Sequence, residues 1–215
     1  MVICGYNIIK YNDYVLYLQG RQFFCEIVEG MVYLNDHTEG LDIGRALERV
    51  SLQRRQLALR YVKASDRRLS LAVYLLLQEA LEKEYGVTGD LTFGFGPHGK
   101  PFLKDYPQIH FNLSHCPGVA LCVVSDAPVG CDVEGVPSVL DLDVCRRVFS
   151  EEEQTLILAS PSPTLSFACL WTQKEAFLKY TGEGLTDLFP IVKDVRSETI
   201  IAPSGAYVYT ICRQP

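Results

Sequence analysis

The sequence lacks any apolar run of the roughly 18 residues that a membrane-spanning helix requires. Its first residues, MVICGYNIIKYN, also lack the basic start, apolar core and small-residue cleavage site of a secretion signal. With 48% hydrophobic and 21% charged residues, the composition is that of an ordinary soluble globular protein. We therefore expect a protein that works in the cytoplasm and has no membrane partner.

The cysteines show neither a CxxC motif nor a cluster with histidine at the spacing of a zinc site. Most lie inside apolar runs such as VALCVV and SFACLW, where cysteine behaves as a small buried hydrophobic residue. We expect reduced thiols for all eight, which are Cys4, Cys25, Cys116, Cys122, Cys131, Cys145, Cys169 and Cys212.

One part of the sequence is strongly basic, as in proteins that bind nucleic acid. It lacks, however, both an interleaved aromatic pattern and a motif that reads a groove of DNA or RNA. From Arg45 to Arg68, eight basic residues are accompanied by two acidic ones, a net charge of +6. The whole chain carries −6, so the remainder carries −12. The basic stretch is either a solvated helix face or the locus for a compact phosphate-bearing ligand, and we expect no nucleic-acid partner.

The sequence also lacks a true dinucleotide-binding fingerprint. GFGPHG, from Gly94 to Gly99, has the G-x-G-x-x-G spacing, but that motif must open a helix. Here Lys100 and Pro101 lead into an extended segment instead. We therefore expect no Rossmann site.

The order of the predicted elements indicates an α+β fold, because strands and then helices follow one another in each part of the chain. Strands are predicted in ICGYNII, YVLYL, FFCEIV, FNLSH, GVALCVVSD and VGCDVEGV and at residues 91–96, 189–195, 199–202 and 206–212. Helices are predicted at 65–86, with Ser65 or Asp66 as its cap, and at 140–149, 150–159 and 163–181. The most plausible division lies near residue 105, between halves 1–104 and 105–215.

The last helix carries three charges, Lys174, Glu175 and Lys179, among ten apolar residues. Ser162 can cap it, Pro163 suits its first position, and Gly182 supplies a left-handed stop. Within WTQKEAFLKYTG, residues 171, 175 and 179 then lie on one stripe. Glu175 and Lys179 are either an ordinary solvated pair or residues of a site.

VGCDVEGV places two carboxylates on one face of a predicted strand, since Asp132 and Glu134 are two residues apart. An edge strand can expose such a pair to solvent. Two carboxylates aimed at one point are also the minimal oxygen platform for Mg²⁺, which takes its remaining ligands from waters and substrate phosphates. Glu175 would be a third carboxylate for that platform.

Two further segments are weak signals on their own. In FNLSHCPG, His115 is more often a structural histidine, while Asn112 and Ser114 are plausible turn formers. Lys100 follows Gly99 in what reads as a simple turn. Their order along the chain is more informative than any one of them.

That order, GKPFL, FNLSHCPG, VGCDVE and WTQKEAFLKYTGEGL, resembles the 4′-phosphopantetheinyl transferases of the surfactin-synthetase-activating (Sfp) type over roughly residues 99–185. The resemblance implies transfer of 4′-phosphopantetheine from coenzyme A to a serine of an apo acyl or peptidyl carrier protein, with release of adenosine 3′,5′-bisphosphate. It also implies an α+β fold of two similar halves, a pseudo-dimer, with the cofactor in the cleft between them and the metal site in the second half. We expect a monomer.

Family roles transfer to individual residues of this sequence. Asp132, Glu134 and Glu175 match Mg²⁺ ligands, Glu175 also matches the base for the serine hydroxyl, and Lys179 matches the lysine of the leaving phosphate. Further matches concern coenzyme A: Lys100 near the adenine, Ser114 and His115 at phosphates, and Arg54, with Arg60 and Arg68 behind it, at the 3′-phosphate.

Two other functions remain open at the level of sequence. One is a non-catalytic coenzyme A binder on the same fold, although such a protein would be expected to have lost a metal carboxylate. The other is a Mg²⁺-dependent phosphohydrolase that uses the same Asp, Glu and Glu and needs no carrier. The pathway that the carrier serves is not encoded in these motifs.

Overall fold

The computed structural model describes residues 7–11, 14–17, 31–184 and 195–214, the first two ranges by their backbone. The helices in these ranges are α1 Ile43–Glu48, α2 Leu52–Leu59, α3 Ala64–Tyr85, α4 Leu142–Val148, α5 Glu151–Ala159 and α6 Pro163–Thr181. The strands are β1 Asn7–Tyr11, β2 Tyr14–Tyr17, β3 Met31–Asn35, β4 Phe93–Phe95, β5 Pro101–Leu103, β6 His110–Cys116, β7 Val119–Ser125, β8 Val129–Gly135, β9 Arg196–Ile201 and β10 Tyr207–Arg213.

The chain forms two compact units. One comprises Met1–Ile27 and Gly130–Pro215, and the other comprises Val28–Val129; we call them the discontinuous unit and the continuous unit. Residue 105 therefore lies inside the continuous unit, and the two units differ in extent from the predicted halves 1–104 and 105–215. The reason is that β6 and β7 pack with α3 from the preceding part of the chain.

The continuous unit is an antiparallel sheet in the order β3-β7-β6, covered by α3. The helix buries Leu71, Leu77 and Leu81 completely. Central strand β7 reads VALCVVS and is buried at six successive positions, which suits a strand with neighbours on both sides. Most of this unit's apolar side chains form a single core.

GFGPHG forms the end of β4 and the turn of the β4–β5 hairpin, and no helix follows it. Gly99 adopts a φ of 84° in that turn, a conformation that side chains disfavour. Gly94 lies under the ring of Phe102, so a Cβ at residue 94 would collide with it. The glycines serve a hairpin, which confirms that the spacing is not a dinucleotide fingerprint.

The discontinuous unit contains a five-stranded sheet in the order β2-β1-β9-β10-β8. β1 pairs with β9 in parallel, whereas β9 and β10 form an antiparallel hairpin. Helix α6 packs against β9 and β10, and α5 packs against α6. This sheet therefore supports the helix that carries Glu175 and Lys179, and it places β8 with Asp132 and Glu134 at one edge.

The predicted helix ends are largely correct. Helix α6 begins at Pro163 after Ser162 and stops at Gly182, whose φ is 73°, although the Ser162 side chain makes no capping bond. Helix α3 begins one residue earlier than expected, at Ala64, so the prediction of Ser65 or Asp66 as its cap was wrong. Helix α3 stops at Gly86, as predicted, and Gly86 adopts the left-handed conformation.

The mixture of helices and sheets confirms the α+β class, while the similarity of two halves stays a prediction. The expected strands at FFCEIV and at 189–194 lie outside the described residues. The six described cysteines are all buried, as their apolar surroundings predict. Among the helices in the described ranges, none is long and apolar enough to cross a bilayer.

Candidate active site

The two carboxylates of β8 are not a fully exposed pair. Asp132 is almost completely buried and Glu134 is half-buried. Burial, followed by the charge of Asp132, raises the pKa of Glu134 to about 7. Because Asp132 is buried and Glu134 is partly buried, the interpretation of an exposed pair on an edge strand is wrong.

The stripe formed by residues 171, 175 and 179 of α6 faces these carboxylates. The Nζ of Lys179 donates to Oδ1 of Asp132 at 2.5 Å, with the side chains of Lys179 and Asp132 31% and 4% exposed. The Trp171 side chain hydrogen-bonds to Glu134, and its indole N–H is the donor. Glu175 is half-buried, and burial followed by the charge of Asp132 raises its pKa. The interpretation of Glu175 and Lys179 as a solvated pair is therefore also wrong.

The cluster of Asp132, Glu134, Glu175 and Lys179 contains three carboxylates and one ammonium group. Burial alone would lower the pKa of Lys179, but the adjacent Asp132 outweighs it and the pKa is raised. Lys179 in turn lowers the pKa values of Glu134 and Glu175, without offsetting the burial and the other carboxylates. An additional cation would be favoured here, because it would stabilise carboxylates that one lysine leaves partly uncompensated.

The carboxylate oxygens of this cluster are the type of ligand that Mg²⁺ prefers. No three histidine, cysteine or acidic side chains of the described residues form a group arranged to hold a metal. Mg²⁺ does not require such a cage, since it is commonly held by one or two carboxylates together with waters and substrate phosphates. Asp132 and Glu134, with Glu175 nearby, fit that smaller requirement.

Gly130 brings the backbone of α6 against β8. A Cβ at this position would collide with the carbonyl oxygen of Ala176 and with N and Cα of Tyr180. These are the residues that flank Glu175 and Lys179 on the helix. Sequence reasoning missed this role, although a glycine inside a strand is a known sign of close backbone approach.

We expect Gly130→Ala to destabilise the protein by about 3 kcal/mol and to displace α6 from the carboxylates, because overpacking against backbone cannot be relieved by a rotamer change. Denaturant unfolding measures the first effect and turnover of the folded fraction the second. Gly135→Ala on the same strand is the control, since its Cβ would lie 3.9 Å from the nearest atom. Equal stability of the two variants would contradict the close approach.

Lys174, adjacent to Glu175, points to the other side of α6. Its Nζ lies 2.9 Å from Oε1 of Glu153, with side-chain exposures of 4% and 23%, and 5.5 Å from the ring centroid of Phe149. Glu153 also completes a capping box with Ser150 at the start of α5. The ion pair therefore fixes α5 to α6 behind the site, a contact that joins residues distant in sequence and that no local pattern indicates.

We expect Glu153→Gln to lower the free energy of unfolding by about 2–3 kcal/mol, somewhat less than for a fully buried pair, because it leaves Lys174 buried without its counterion. Glutamine preserves the capping box, so the change isolates the charge. Glu79→Gln is the control: it breaks an exposed pair with Lys83 and should cost under about 1 kcal/mol. If urea unfolding gives similar losses of unfolding free energy for Glu153→Gln and Glu79→Gln, the Lys174 pair is not buried in solution.

The residues matched to the coenzyme A donor lie in the continuous unit. Ser114 and His115 are neighbours on β6, the first buried and the second exposed. The Nζ of Lys100 donates to the carbonyl oxygen of Val129 at 3.1 Å. Lys100 also helps to lower the pKa of His110, after the larger effect of burial.

The three arginines matched to the 3′-phosphate have different surroundings. Arg54 donates from Nη2 to the carbonyl oxygen and hydroxyl of Ser70, and its guanidinium carbon lies 4.9 Å from the ring centroid of Tyr74. Arg60 is exposed. Arg68 donates from Nε to the carbonyl oxygen of Leu41 at 3.3 Å. It also lines a cavity of about 450 Å³ with Thr38, Glu39, Ser65, Asp66, Leu69, Pro117 and Gly118.

The family model and the known proteins that resemble this chain indicate the same class of enzyme. A model of the 4′-phosphopantetheinyl transferase superfamily matches residues 128–210, which include the carboxylates of β8 and all of α6. A 4′-phosphopantetheinyl transferase of Bacillus subtilis is 31% identical over 182 residues, covering 81% of this chain and 80% of the relative.

Two further relatives match shorter parts. The 4′-phosphopantetheinyl transferase psf-1 of Bacillus pumilus is 34% identical over 140 residues, 64% of this chain and 60% of the relative. The 4′-phosphopantetheinyl transferase Sfp of Bacillus subtilis strain 168 is 30% identical over 145 residues, 66% of this chain and 64% of the relative.

The relatives define the chain as a transferase. It belongs to the 4′-phosphopantetheinyl transferase family, which confirms the resemblance found in its motifs and its nature as an enzyme.

Proposed function

We propose that this protein transfers the 4′-phosphopantetheine group of coenzyme A to a serine of an apo acyl or peptidyl carrier protein in a Mg²⁺-dependent reaction. The observation that carries the proposal is the 2.5 Å contact between Lys179 and Asp132, made beside Glu134 and Glu175 in a chain of this family. A partly buried cation among several carboxylates is the arrangement needed to manage phosphate charge and a hydroxyl proton together.

In the proposed reaction, the serine oxygen of the carrier attacks the phosphorus atom that bears the pantetheine group. A new P–O bond forms, the bond to the bridging oxygen of the pyrophosphate breaks, and its electron pair leaves with adenosine 3′,5′-bisphosphate. Mg²⁺, held by Asp132 and Glu134 with Glu175 as a third candidate, would supply positive charge to the phosphoryl oxygens when bound.

Glu175 is our candidate for the base that removes the serine proton, directly or through a water. Burial and the charge of Asp132 raise its pKa, which makes it a stronger base than an exposed glutamate. Lys179 is our candidate for stabilising or protonating the leaving phosphate. Its raised pKa keeps it protonated at neutral pH, so it has both a charge and a proton to offer.

The decisive experiment mixes the protein with apo carrier, coenzyme A and Mg²⁺ and records the intact mass of the carrier. Addition of one phosphopantetheine group, absent with a carrier whose acceptor serine is alanine, is the expected result. Phosphopantetheine released without carrier would instead indicate a phosphohydrolase. Binding of coenzyme A with no product would indicate a non-catalytic binder. Omission of Mg²⁺ with a chelator should stop the transfer.

For the donor, we propose that Lys100, Ser114 and His115 bind its adenine and phosphates and that an arginine binds its 3′-phosphate. Arg68 is favoured over Arg54 by its surroundings: it lines a cavity and donates to Leu41 from Nε, whereas Arg54 donates to Ser70 from the terminal Nη2 and lies over the ring of Tyr74. We also retain as proposals the monomeric state and the cytoplasmic location expected from the sequence.

We expect dephospho-coenzyme A to bind the wild-type protein about 10-fold or more weakly than coenzyme A, because one charge-assisted hydrogen bond contributes about 1.5–3 kcal/mol. Arg68→Ala should lose most of this preference, since the partner of the phosphate is already gone. Calorimetric titration with both donors measures this preference for coenzyme A. The control is Arg60→Ala, which replaces an exposed arginine. If Arg68→Ala keeps the full preference and Arg54→Ala loses it, the assignment belongs to Arg54.

A further inference from the structure

Helix α6 contacts its supporting sheet through a chain of buried polar side chains. Gln173 donates from Nε2 to Oγ1 of Thr199 at 3.0 Å. The hydroxyl of Thr199 lies 2.8 Å from that of Thr210, which lies 2.8 Å from that of Thr172. The hydroxyl of Thr172 donates to the carbonyl oxygen of Cys169 at 3.0 Å. The four polar side chains are at most 1% exposed, and we call them the hydroxyl relay.

The direction of every bond in the relay follows from its two ends. The Cys169 carbonyl can only accept, so the hydroxyl hydrogen of Thr172 is committed to it. Thr172 must then accept from Thr210, and Thr210 must accept from Thr199, because each hydroxyl has one hydrogen to donate. Thr199 accepts from the amide of Gln173. All three hydroxyls are satisfied in one ordered arrangement.

This arrangement is specific for one position of the helix. Thr199 and Thr210 are directly paired across β9 and β10, so they form a rigid two-residue platform. Gln173 and Thr172 are consecutive on α6 and contact the two ends of that platform. Rotating or sliding α6 by one residue would leave several buried hydroxyls without partners, which is costly.

The apolar contacts nearby are less specific for one position of the helix. They involve Ala168 and Cys169 on α6 and Ile201 and Val208 on the sheet. Apolar contact is non-directional and changes little when small side chains slide past one another. Hydrogen bonds, in contrast, weaken steeply when distance or angle changes.

We propose that the hydroxyl relay is a positioning device that sets the rotation and axial position of α6, so that Glu175 and Lys179 meet Asp132 and Glu134. The relay residues are positioning residues, since they act through α6 and not on the substrate. Reacting groups must be held to within about 0.5 Å of the productive geometry. The close approach at Gly130 fixes α6 against β8 and the Lys174–Glu153 pair fixes it against α5, while the relay fixes its contact with β9 and β10. This inference rests on the proposed function for its kinetic consequence.

The test compares three changes on β10. Thr210→Val keeps the shape of the side chain and breaks the relay at two bonds. Thr210→Ser keeps the hydroxyl and removes a methyl group. Val208→Ala is the control, because it removes buried volume two residues away on the same face of the same strand and leaves the relay intact. All are measured at a temperature where unfolding curves show them folded.

Trp171 gives a readout that does not depend on activity. It is the only tryptophan of the chain, lies on α6 and hydrogen-bonds to Glu134. We expect Thr210→Val to change its emission maximum and to lower kcat for carrier modification about 10-fold to 100-fold, with KM for coenzyme A unchanged. Thr210→Ser and Val208→Ala should keep the Trp171 emission maximum of the wild type and most of its kcat.

If folded Thr210→Val keeps the emission maximum and kcat of the wild type, the proposal is overturned. It is also overturned if Val208→Ala loses as much kcat as Thr210→Val, because that would indicate a general effect of stability. If Thr210→Val does not fold, Gln173→Met provides the milder test, since it removes the first donor and leaves each hydroxyl able to donate onward. An unchanged emission in that variant would also overturn the proposal. If the wild type modifies no carrier, the proposed function fails while the emission still tests the positioning.

Discussion

Asp132→Asn is expected to reduce carrier modification by about 10²–10³-fold or more while the protein remains folded. Losing a single preorganised electrostatic contact to the transition state costs about that much, and Asp132 has two such roles. It holds the ammonium group of Lys179 at 2.5 Å, and it is a proposed ligand for Mg²⁺. The intact mass of the carrier, followed over time, gives the rate.

Asparagine preserves the shape of the side chain and removes one of three mutually repelling carboxylates, which partly offsets the loss of the ion pair with Lys179, so we expect the protein to remain folded. The control is Asp143→Asn, which removes an exposed carboxylate of α4 that pairs with Arg146. Full activity of Asp132→Asn, or an equal loss in Asp143→Asn, would contradict the assignment. Titration with Mn²⁺, followed by its paramagnetic resonance signal, separately tests whether Asp132→Asn has lost metal affinity.

Lys179→Met is expected to lower kcat by about 10²-fold or more and to change coenzyme A binding much less. The physical reason is that charge on the leaving phosphate grows toward the transition state, so a cation there contributes more to that state than to the bound substrate. Single-turnover rates at saturating coenzyme A, together with calorimetric affinities, separate the two contributions.

Lys83→Met is the matched control, because it removes a lysine that makes an exposed i,i+4 pair with Glu79. Lys179→Arg provides a second comparison: it keeps the charge but changes the shape and the donor geometry, so we expect partial activity. If Lys179→Met loses only affinity for coenzyme A and turns over normally when saturated, Lys179 positions the donor and takes no part in the chemical step.

Much of the site was predictable because the relevant signals are local. A proline at the first position of α6 and a glycine after its last residue fixed its limits, and helical periodicity placed residues 171, 175 and 179 on one stripe. Strand alternation placed Asp132 and Glu134 on one face. These inferences require only the geometry of one element.

The contacts between elements were not predictable in the same way. The 47-residue separation of Lys179 and Asp132 and the 26-residue separation of Gln173 and Thr199 leave no trace in any local pattern. The engagement of Arg54 by Ser70 depends likewise on how α2 packs against α3. Composition indicated that the stretch was basic, but not which guanidinium already had a partner.

The extent of the two units was missed for a related reason. The sequence suggests a division where strands follow helices, near residue 105. The structure instead pairs β1 with β9, so that one unit is assembled from two distant pieces of chain. Only a long-range strand pairing identifies such a unit.

That pairing has a consequence for the order in which the protein acquires its activity during synthesis. The continuous unit consists of one stretch of sequence, so it can fold as soon as that stretch has left the ribosome. The sheet beneath α6 needs β9 and β10, which are made after α6 and the continuous unit, and pairing β9 with β1 closes a very long loop. We expect the acidic cluster to form late, as the slow step of folding, and nascent chains that end before β9 to be inactive.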